Sequence, residues 1–433
     1  MADVRPLRGI RYDGAVAGDL SGLVCPPFDV IPPALQDRLY ERSPYNVVRL
    51  ELGRDRPGDG PGNDRYSRAA ETQTGWLEAG VLARDPAPAM YLIEESFEFA
   101  GRGYHRRGLI AAVRLEEFDR GVVLPHEYTR PGPKVDRLAL MRAASANYSP
   151  LMVLYRDRGG AIGRVLSSVS EQPPAAAAAP PELPAFNLWL ISDPAALREI
   201  AGALSNAPLY MADGHHRYET AITYRDEVRA GGGLEPDDAA NFRMMTLISI
   251  DDPGLLLLGY HRALGSATPD ELSRFKTYVR DAFYLTEWTP PAGGPDVAAP
   301  AFEAELARGP DTHVVFGFAG LEPDRLHIGV MKDPAPAVDE LEACEYTRLH
   351  DEVFRSTFTP EREAEVVAFE HDTAAVLAQV ASGERQIGFI MRAMPLEPFE
   401  AVVTKGQRLP SKSTFFHPKL HTGAVIQPLE GAL

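Results

Sequence analysis

The stretch "MADGHHRYETAITYRDEVR", Met211 to Arg229, decides the fold prediction, because its periodicity changes in the middle. The apolar run "PLYMA" at 208–212 precedes Asp213-Gly214 and is typical of a buried strand. Beyond that turn, apolar and aromatic residues recur on one helical face, at Tyr218, Ala221, Tyr224 and Val228. The sequence therefore predicts a strand, a tight turn and a helix that begins near His215 or His216.

Strand and helix patterns alternate on both sides of this stretch. Asp193-Pro194 and Thr268-Pro269 each place a capping residue and a first-turn proline before an apolar helical pattern. The stretch Asp372–Ser382 predicts a later helix, and three apolar runs predict strands, namely "THVVFGFA", "RLHIGVMK" and "QIGFIMRA". The chain therefore predicts an α/β or α+β fold with mixed sheets.

Two proline-rich segments suggest the domain organisation. In "QPPAAAAAPPELP", at 172–184, prolines bracket five alanines, and we expect a linker or loop at 171–184 that joins no sheet. The second segment is "TPPAGGPDVAAPA", at 289–301. These breaks predict α/β blocks at 1–170, 185–288 and 302–433, and the last block is left open to interleave with the core.

Composition limits the possible partners and location. The net charge is −17, so the surface as a whole repels nucleic-acid phosphates and anionic lipids. Cys25 and Cys344 are far apart and form neither a disulfide framework nor a metal-ligand spacing. No stretch of about eighteen apolar residues and no signal peptide occur. We therefore expect a cytoplasmic protein that binds a small molecule, and neither nucleic acid nor membrane; its oligomeric state is left open.

The five residues Asp213–Arg217, here called the DGHHR turn, combine the features of an anion site. Gly214 permits an unusual backbone conformation, and the first amides of a helix attract negative charge. His215, His216 and Arg217 add side-chain donors at the same place. The alternative is a helix start whose histidines cap carbonyls or face solvent. Adjacent helical residues point in different directions, so separate roles for the two histidines are favoured over one shared metal.

A family resemblance adds to this interpretation. "DGHHRYETA" is similar to the signature of the ParB/sulfiredoxin superfamily, whose members bind nucleotide phosphates with a Gly-x-x-Arg turn, and its free-serine kinases carry the Asp-Gly-His-His-Arg form. The whole chain resembles the bacterial and archaeal "domain of unknown function" family number 1015, on "RPLRGIRYD", "CPPFDVI", "SPYNVVRLEL", "HEYTRPGPKVDRLALMRAASANYSP", "MADGHHRYETA" and "KSTFFHPKLHTGAVIQPL". The resemblance implies a ParB/sulfiredoxin-like nucleotide-binding core, carried by 185–288, with an additional α/β domain.

The branches of the superfamily differ at single residues. Sulfiredoxin needs a cysteine at the position of His215, so its reductase chemistry lacks a nucleophile here. The DNA-clamping partition proteins are disfavoured by the net charge of −17 and by the lack of a basic recognition helix. Neither a P-loop nor a kinase Gly-rich loop is present. Of the activities in this superfamily, small-molecule phosphoryl transfer is the one that these residues leave open.

A second polar cluster, "LPHEYTRPGPKVDR" from Leu124 to Arg137, offers partners for the turn. Phosphoryl transfer to an alcohol needs a carboxylate base, a metal and cations. The resembled kinases use a glutamate as base, and Glu127 is the candidate here. Lys134 and Arg137 are candidates to hold a substrate carboxylate or the nucleotide, and Arg130 lies in the same cluster. The alternative is a solvated charged loop.

Two further residues complete the hypothesis. Asp213 is the candidate Mg²⁺ ligand and, with His215, a candidate catalytic residue beside Glu127; the alternative for Asp213 is an ordinary turn residue. Glu51, on a predicted strand within "SPYNVVRLEL", is the second candidate base, although a pair with Arg49 explains it equally. The expected activity is an ATP- or ADP-dependent kinase for free L-serine or a similar hydroxylated metabolite. A nucleotide-binding protein without catalysis and a metal-dependent phosphohydrolase are the alternatives.

Overall fold

The computed structural model describes residues 1–129, 132–309 and 312–433, which form two compact units. Unit 1 comprises Met1–Pro125, Thr129–Leu256 and Pro418–Leu433, and unit 2 comprises His126–Tyr128 and Leu257–His417. Strands and helices alternate in both, so the prediction of mixed α/β structure is confirmed. These boundaries differ from the predicted breaks at 171–184 and 289–301, because the chain leaves unit 1 after Leu256 and returns to it at Pro418.

Unit 1 is built on a mixed sheet that has nine strands within the described part of the chain. Its order across the sheet is Val123–Leu124, Leu209–Asp213, Leu151–Tyr155, Phe242–Ser249, Arg102–Arg114, Met90–Phe99, Ala185–Ile191 and Ala176–Ala178, with Val4–Arg5 also paired to Arg102–Arg114. Two neighbouring pairs are parallel: Leu209–Asp213 with Val123–Leu124, and Phe242–Ser249 with Leu151–Tyr155. Every residue of Leu151–Tyr155 is buried, as expected for a strand covered on both faces.

Helices cover this sheet, and the predicted ones begin where local capping chemistry places them. Asp193 caps the helix Pro194–Ser205 by accepting from the Ala196 amide at 2.8 Å. The helix His215–Ala230, here called the site helix, follows the predicted strand Leu209–Asp213. The other helices of unit 1 are Gly14–Ala17, Pro33–Arg42, Val48–Glu51, Arg65–Glu78, Gly132–Ala144 and Ala161–Ser170. Small two-stranded sheets pair Ile10–Tyr12 with Leu82–Arg84 and Ala146–Asn147 with Gln427–Pro428.

Unit 2 is built on an antiparallel sheet. Its order is Phe283–Trp288, Leu326–Met331, Val315–Ala319, Ile387–Met391, His261–Leu264 and Val367–Glu370. The three predicted strands and the helix Thr373–Ala381, capped by Asp372, are confirmed. The remaining helices are Pro269–Ala282, Pro295–Leu306, Glu340–Ala343, Glu345–Arg348, Pro360–Val366 and Leu396–Thr404, and Leu256–Leu258 pairs with Phe415–His417. In the described ranges, no helix is both long enough and apolar enough to cross a bilayer.

Two local predictions are wrong. Ala176–Ala178 joins the edge of the nine-stranded sheet by pairing with Ala185–Ile191, because the flanking prolines lie outside the paired residues and the alanines keep their amide donors. The predicted strand in "SPYNVVRLEL" is a one-turn helix, Val48–Glu51. Arg49 there donates to the Tyr40 carbonyl at 2.7 Å, and Glu51 contacts Ser149 and Arg137, so the alternative of an Arg49–Glu51 ion pair is not observed.

Candidate functional site

The DGHHR turn begins at an irregularity of the sheet. Met211 pairs with Val153 and Asp213 pairs with the next residue back, Met152, so Ala212 is an extra residue in its strand. A bulge of this kind bends a strand and redirects the side chains that follow. The direction of the Asp213 side chain is therefore set by the end of a strand rather than by a loop.

Gly214 occupies the N-cap of the site helix in a conformation that suits glycine. Its φ of 95° and ψ of 26° lie in the left-handed region. A Cβ at this position would lie 2.6 Å from Leu151 Cδ2 and 3.1 Å from Arg217 Nη2. The backbone angle favours glycine here, and the packing further disfavours a Cβ.

Asp213 lies between two cations. Arg217 Nη2 donates to Asp213 Oδ2 at 2.9 Å, and Lys419 Nζ donates to Asp213 Oδ1 at 2.8 Å. Burial raises the pKa of Asp213, but Lys419 and Arg217 outweigh burial and hold that pKa well below its ordinary value. Asp213 is therefore an ionised carboxylate, as the predicted metal or acceptor-orienting role requires.

Arg217 faces inward. The residue is only 4% exposed, and its Nη1 donates to Ser149 Oγ at 3.0 Å and to the Pro150 carbonyl at 3.1 Å. Together with the bond to Asp213, these contacts join the start of the site helix to the segment before the strand Leu151–Tyr155. Arg217 thus stabilises the turn from the inside, and its predicted contact with a phosphate stays a prediction.

The two histidines differ in exposure, as adjacent helical residues should. His215 is buried, and His216 is half-buried. The first helical hydrogen bond at this end runs from the Tyr218 amide to the Gly214 carbonyl at 3.0 Å. The amides of residues 215–217 come before that bond, at the positive end of a sixteen-residue helix. The backbone geometry of an anion site is therefore present at the DGHHR turn.

A small cavity of about 20 Å³ lies behind the turn. Arg137, Arg217, Arg243 and Glu51 line it together with neighbouring polar and apolar residues. Glu51 accepts from Ser149 Oγ at 3.1 Å, and its Oε1 lies 3.4 Å from Arg137 Nη1. Burial and the adjacent Arg217 lower the pKa of Arg243 to about 9. Arg137 and Glu51 are thus buried on the inner side of the turn, and a volume of this size holds roughly one water molecule.

Thr129 and Lys134 contact the site helix at Glu219, a residue that the sequence prediction missed. Thr129 Oγ1 donates to Glu219 Oε2 at 2.6 Å, and Lys134 forms an ion pair with Glu219. Glu219 lies one helical turn after His215, and that spacing was the available signal. The structure therefore brings Lys134 to the helix that carries the DGHHR turn, while Arg130 lies outside the described residues.

Glu127, the candidate base, belongs to unit 2, whereas the DGHHR turn belongs to unit 1. The Glu127 carbonyl accepts from Arg408 Nη1 at 2.9 Å. Phe416, also in unit 2, is buried and packs edge-on against Phe399. The catalytic role of Glu127 stays a prediction. Across the described ranges, no group of three or more histidine, cysteine or acidic side chains is arranged to hold a metal ion.

Comparison with known proteins gives a family and several distant structural likenesses. A free serine kinase in complex with AMP is 11% identical, with 75% of this chain and 91% of that chain covered and a TM-score of 0.34. A truncated SbnI from Staphylococcus aureus is also 11% identical, with coverages of 75% and 87% and a TM-score of 0.34. A conserved hypothetical protein from Pyrococcus furiosus is 12% identical, with coverages of 71% and 90% and a TM-score of 0.33.

At these TM-scores, the likenesses assign no site or activity to this chain. No curated protein matches it. The sequence profile of one family, described as "Protein of unknown function (DUF1015)", matches residues 4–351, which is most of the chain. The protein therefore belongs to the DUF1015 family.

Proposed function

We propose that this protein is a nucleotide-dependent kinase that phosphorylates a small hydroxylated metabolite, with free L-serine as the leading candidate. The observation that carries the proposal is the DGHHR turn itself. It combines a glycine N-cap, helix amides ahead of the first helical hydrogen bond and an ionised Asp213 at the end of a buried strand. Such a turn suits the phosphates of ATP or ADP better than it suits a neutral ligand.

In this proposal, the residues of unit 1 have different roles in binding. The amides of His215 and His216 receive the phosphates, and Arg217 holds the turn in shape from behind. Asp213 is one carboxylate ligand for Mg²⁺, which commonly takes its other ligands from phosphate oxygens and water and would neutralise phosphate charge when bound. Lys134 is the proposed contact for the acceptor carboxylate. Arg137 supports the site from the inner side and does not contact the substrate, because it is buried against Glu51.

Glu127 is the proposed general base that accepts the proton of the substrate hydroxyl. Glu51 is the weaker candidate, since it is 3% exposed and held by Arg137 and Ser149. Replacing each with glutamine separates the two assignments. We expect Glu127→Gln to lower kcat by roughly 100-fold or more with little change in unfolding temperature. Glu51→Gln should chiefly lower the unfolding temperature.

The proposal is tested by incubating the purified protein with ATP or ADP, Mg²⁺ and a panel of hydroxy-amino acids, and following the products by phosphorus NMR. A new phosphomonoester signal that requires one panel member supports a kinase. Phosphate release without an acceptor identifies the phosphohydrolase instead. The inward-facing Arg217 favours a second candidate, a nucleotide-binding protein without catalysis, which predicts ADP binding by calorimetry and no product in any sample.

A further inference from the structure

The DGHHR turn has two cationic neighbours, and they differ in which way they face. The side chain of Arg217 is only 5% exposed, and hydrogen bonds to Ser149, Pro150 and Asp213 direct its guanidinium into the protein. The side chain of Lys419 is 16% exposed, and its Nζ contacts the other oxygen of Asp213 at 2.8 Å. An ammonium group has three donors, so it can contact an anion while it keeps a bond to a carboxylate. Lys419 is therefore the better placed of the two cations to reach a ligand at the turn.

Lys419 lies on neither a helix nor a strand, and its position is set by its neighbours in sequence. The Pro418 carbonyl accepts from Arg106 Nη1 at 2.7 Å. His421 Nε2 lies 2.8 Å from the Pro184 carbonyl, and His421 Nδ1 lies 3.2 Å from Glu95 Oε1. Both sides of Lys419 are thus fixed to unit 1.

These contacts belong to a buried polar cluster, Glu95, Arg106 and His421. Arg106 Nη2 lies 2.7 Å from Glu95 Oε2, and the side chains of all three residues are fully buried. A buried ion pair is weak evidence for stability, because desolvation offsets much of its attraction and an apolar substitute is often as stable. What such a cluster does provide is a defined geometry. Here that geometry fixes the backbone on both sides of Lys419.

We propose that Lys419 is the side-chain cation that binds the nucleotide phosphate at the DGHHR turn, and that the Glu95, Arg106 and His421 cluster positions it. This inference rests on the proposed nucleotide binding. It places the phosphate between the first amides of the site helix and the Lys419 ammonium, with Asp213 orienting that ammonium. In this arrangement Lys419 is a binding residue, and the three cluster residues are positioning residues.

The test compares ADP with adenosine, because only ADP carries the phosphates that Lys419 would contact. Calorimetry on the full-length protein gives the Kd of both ligands for wild type and for Lys419→Met. Lys405→Met is the matched control, since Lys405 also pairs with a carboxylate, Glu340, but belongs to unit 2 rather than to the unit that carries the DGHHR turn. We expect Lys419→Met to weaken ADP binding by roughly 10- to 100-fold, with adenosine binding unchanged. Lys419→Arg, which keeps the charge, should recover part of the loss.

The positioning role is tested with His421→Gln, which keeps a donor for the Pro184 carbonyl and removes the contact between His421 Nδ1 and Glu95. We expect weaker ADP binding and unchanged adenosine binding. Equal ADP affinity in wild type and Lys419→Met overturns the inference and leaves the proposed function standing. Equal losses for ADP and adenosine also overturn it, because they indicate general damage to the fold. A wild-type protein that binds neither ligand overturns both proposals.

Discussion

Gly214 links backbone conformation, packing and the candidate site in one residue. Its left-handed φ costs an ordinary residue roughly 1–2 kcal/mol. A methyl group there would also lie 2.6 Å from Leu151 Cδ2, and overpacking adds roughly 1–3 kcal/mol. We expect Gly214→Ala to lower the free energy of unfolding by roughly 2–5 kcal/mol. Urea unfolding followed by circular dichroism measures it.

Gly160 provides the control for that substitution. It is also a left-handed N-cap, of the helix Ala161–Ser170, but an added Cβ would meet only Arg164 Nη1, at 3.5 Å. We expect Gly160→Ala to cost roughly 1–2 kcal/mol, the backbone contribution alone. Equal costs at the two positions would show that the contact with Leu151 relaxes without penalty.

His261 carries a pH dependence that can be assigned to one residue. Its Nδ1 accepts from the Met391 amide at 3.1 Å, and its Nε2 lies 2.8 Å from Thr373 Oγ1. Burial, followed by the neighbouring Arg262, lowers the pKa of His261 to about 3. The unfolded chain protonates near pH 6.5, whereas the folded chain resists protonation. The stabilisation is therefore complete above about pH 6.5 and is lost as the pH falls towards 3, by roughly 3–5 kcal/mol in total.

The measurement is the free energy of unfolding of wild type and His261→Gln at several pH values between 3 and 7. We expect the variant to be less stable at pH 7 and to lose less stability on acidification than wild type. His105→Gln is the control, because His105 is exposed. Parallel pH profiles for wild type and His261→Gln would contradict the assignment.

At the scale of elements, the sequence correctly predicted helices whose first residues are set by local capping and turn residues. The start of the site helix follows from Gly214, and the helix Pro269–Ala282 follows from the capping box of Thr268 and Glu271. Ala176–Ala178 and Val48–Glu51 were mispredicted, because tertiary pairing and packing decide such short segments. The sequence therefore identified long elements and missed short ones whose structure depends on distant partners.

The candidate site shows the same division. Asp213 and Arg217 are four positions apart, so helical spacing alone brings them together. Ser149 lies 68 positions from Arg217, and Lys419 lies 206 positions from Asp213. No spacing rule connects residues that far apart, since their contact depends on the strand order and on the return of the chain to unit 1 at Pro418. The turn was therefore predictable, but its distant partners Ser149 and Lys419 were not.

The net charge of the whole molecule predicts that it does not bind DNA non-specifically. With a net charge of −17, the protein repels a DNA backbone, and non-specific DNA binding depends mainly on phosphate contacts. We expect no mobility shift of a 30-base-pair duplex at micromolar protein in about 50 mM salt, with or without ADP. A shift that weakens steeply with added salt would reveal a local basic surface and would return the DNA-clamping branch to consideration.

The chain returns to unit 1 at Pro418–Leu433 after it has passed through unit 2. We therefore expect unit 1 to depend on this last segment for its stability. Gln427 in this segment is fully buried. Its Oε1 accepts from the Met244 amide at 2.6 Å and from Asn147 Nδ2 at 2.9 Å, and its Nε2 donates to the Phe242 carbonyl at 3.1 Å. An apolar replacement of similar size leaves these groups buried without partners, at roughly 1–3 kcal/mol each.

We therefore expect Gln427→Met to lower the free energy of unfolding of unit 1 by roughly 3–9 kcal/mol, even though it keeps most of the side-chain volume. Gln407→Met is the control, because Gln407 and its acceptor Asp339 are both only half-buried. It should cost about 0.5–1.5 kcal/mol. Hydrogen exchange locates the effect: amides of Phe242–Ser249 should lose protection in Gln427→Met, while those of Ile387–Met391 in unit 2 keep theirs. Equal loss of protection in both strands would mean that the two units unfold as one cooperative body.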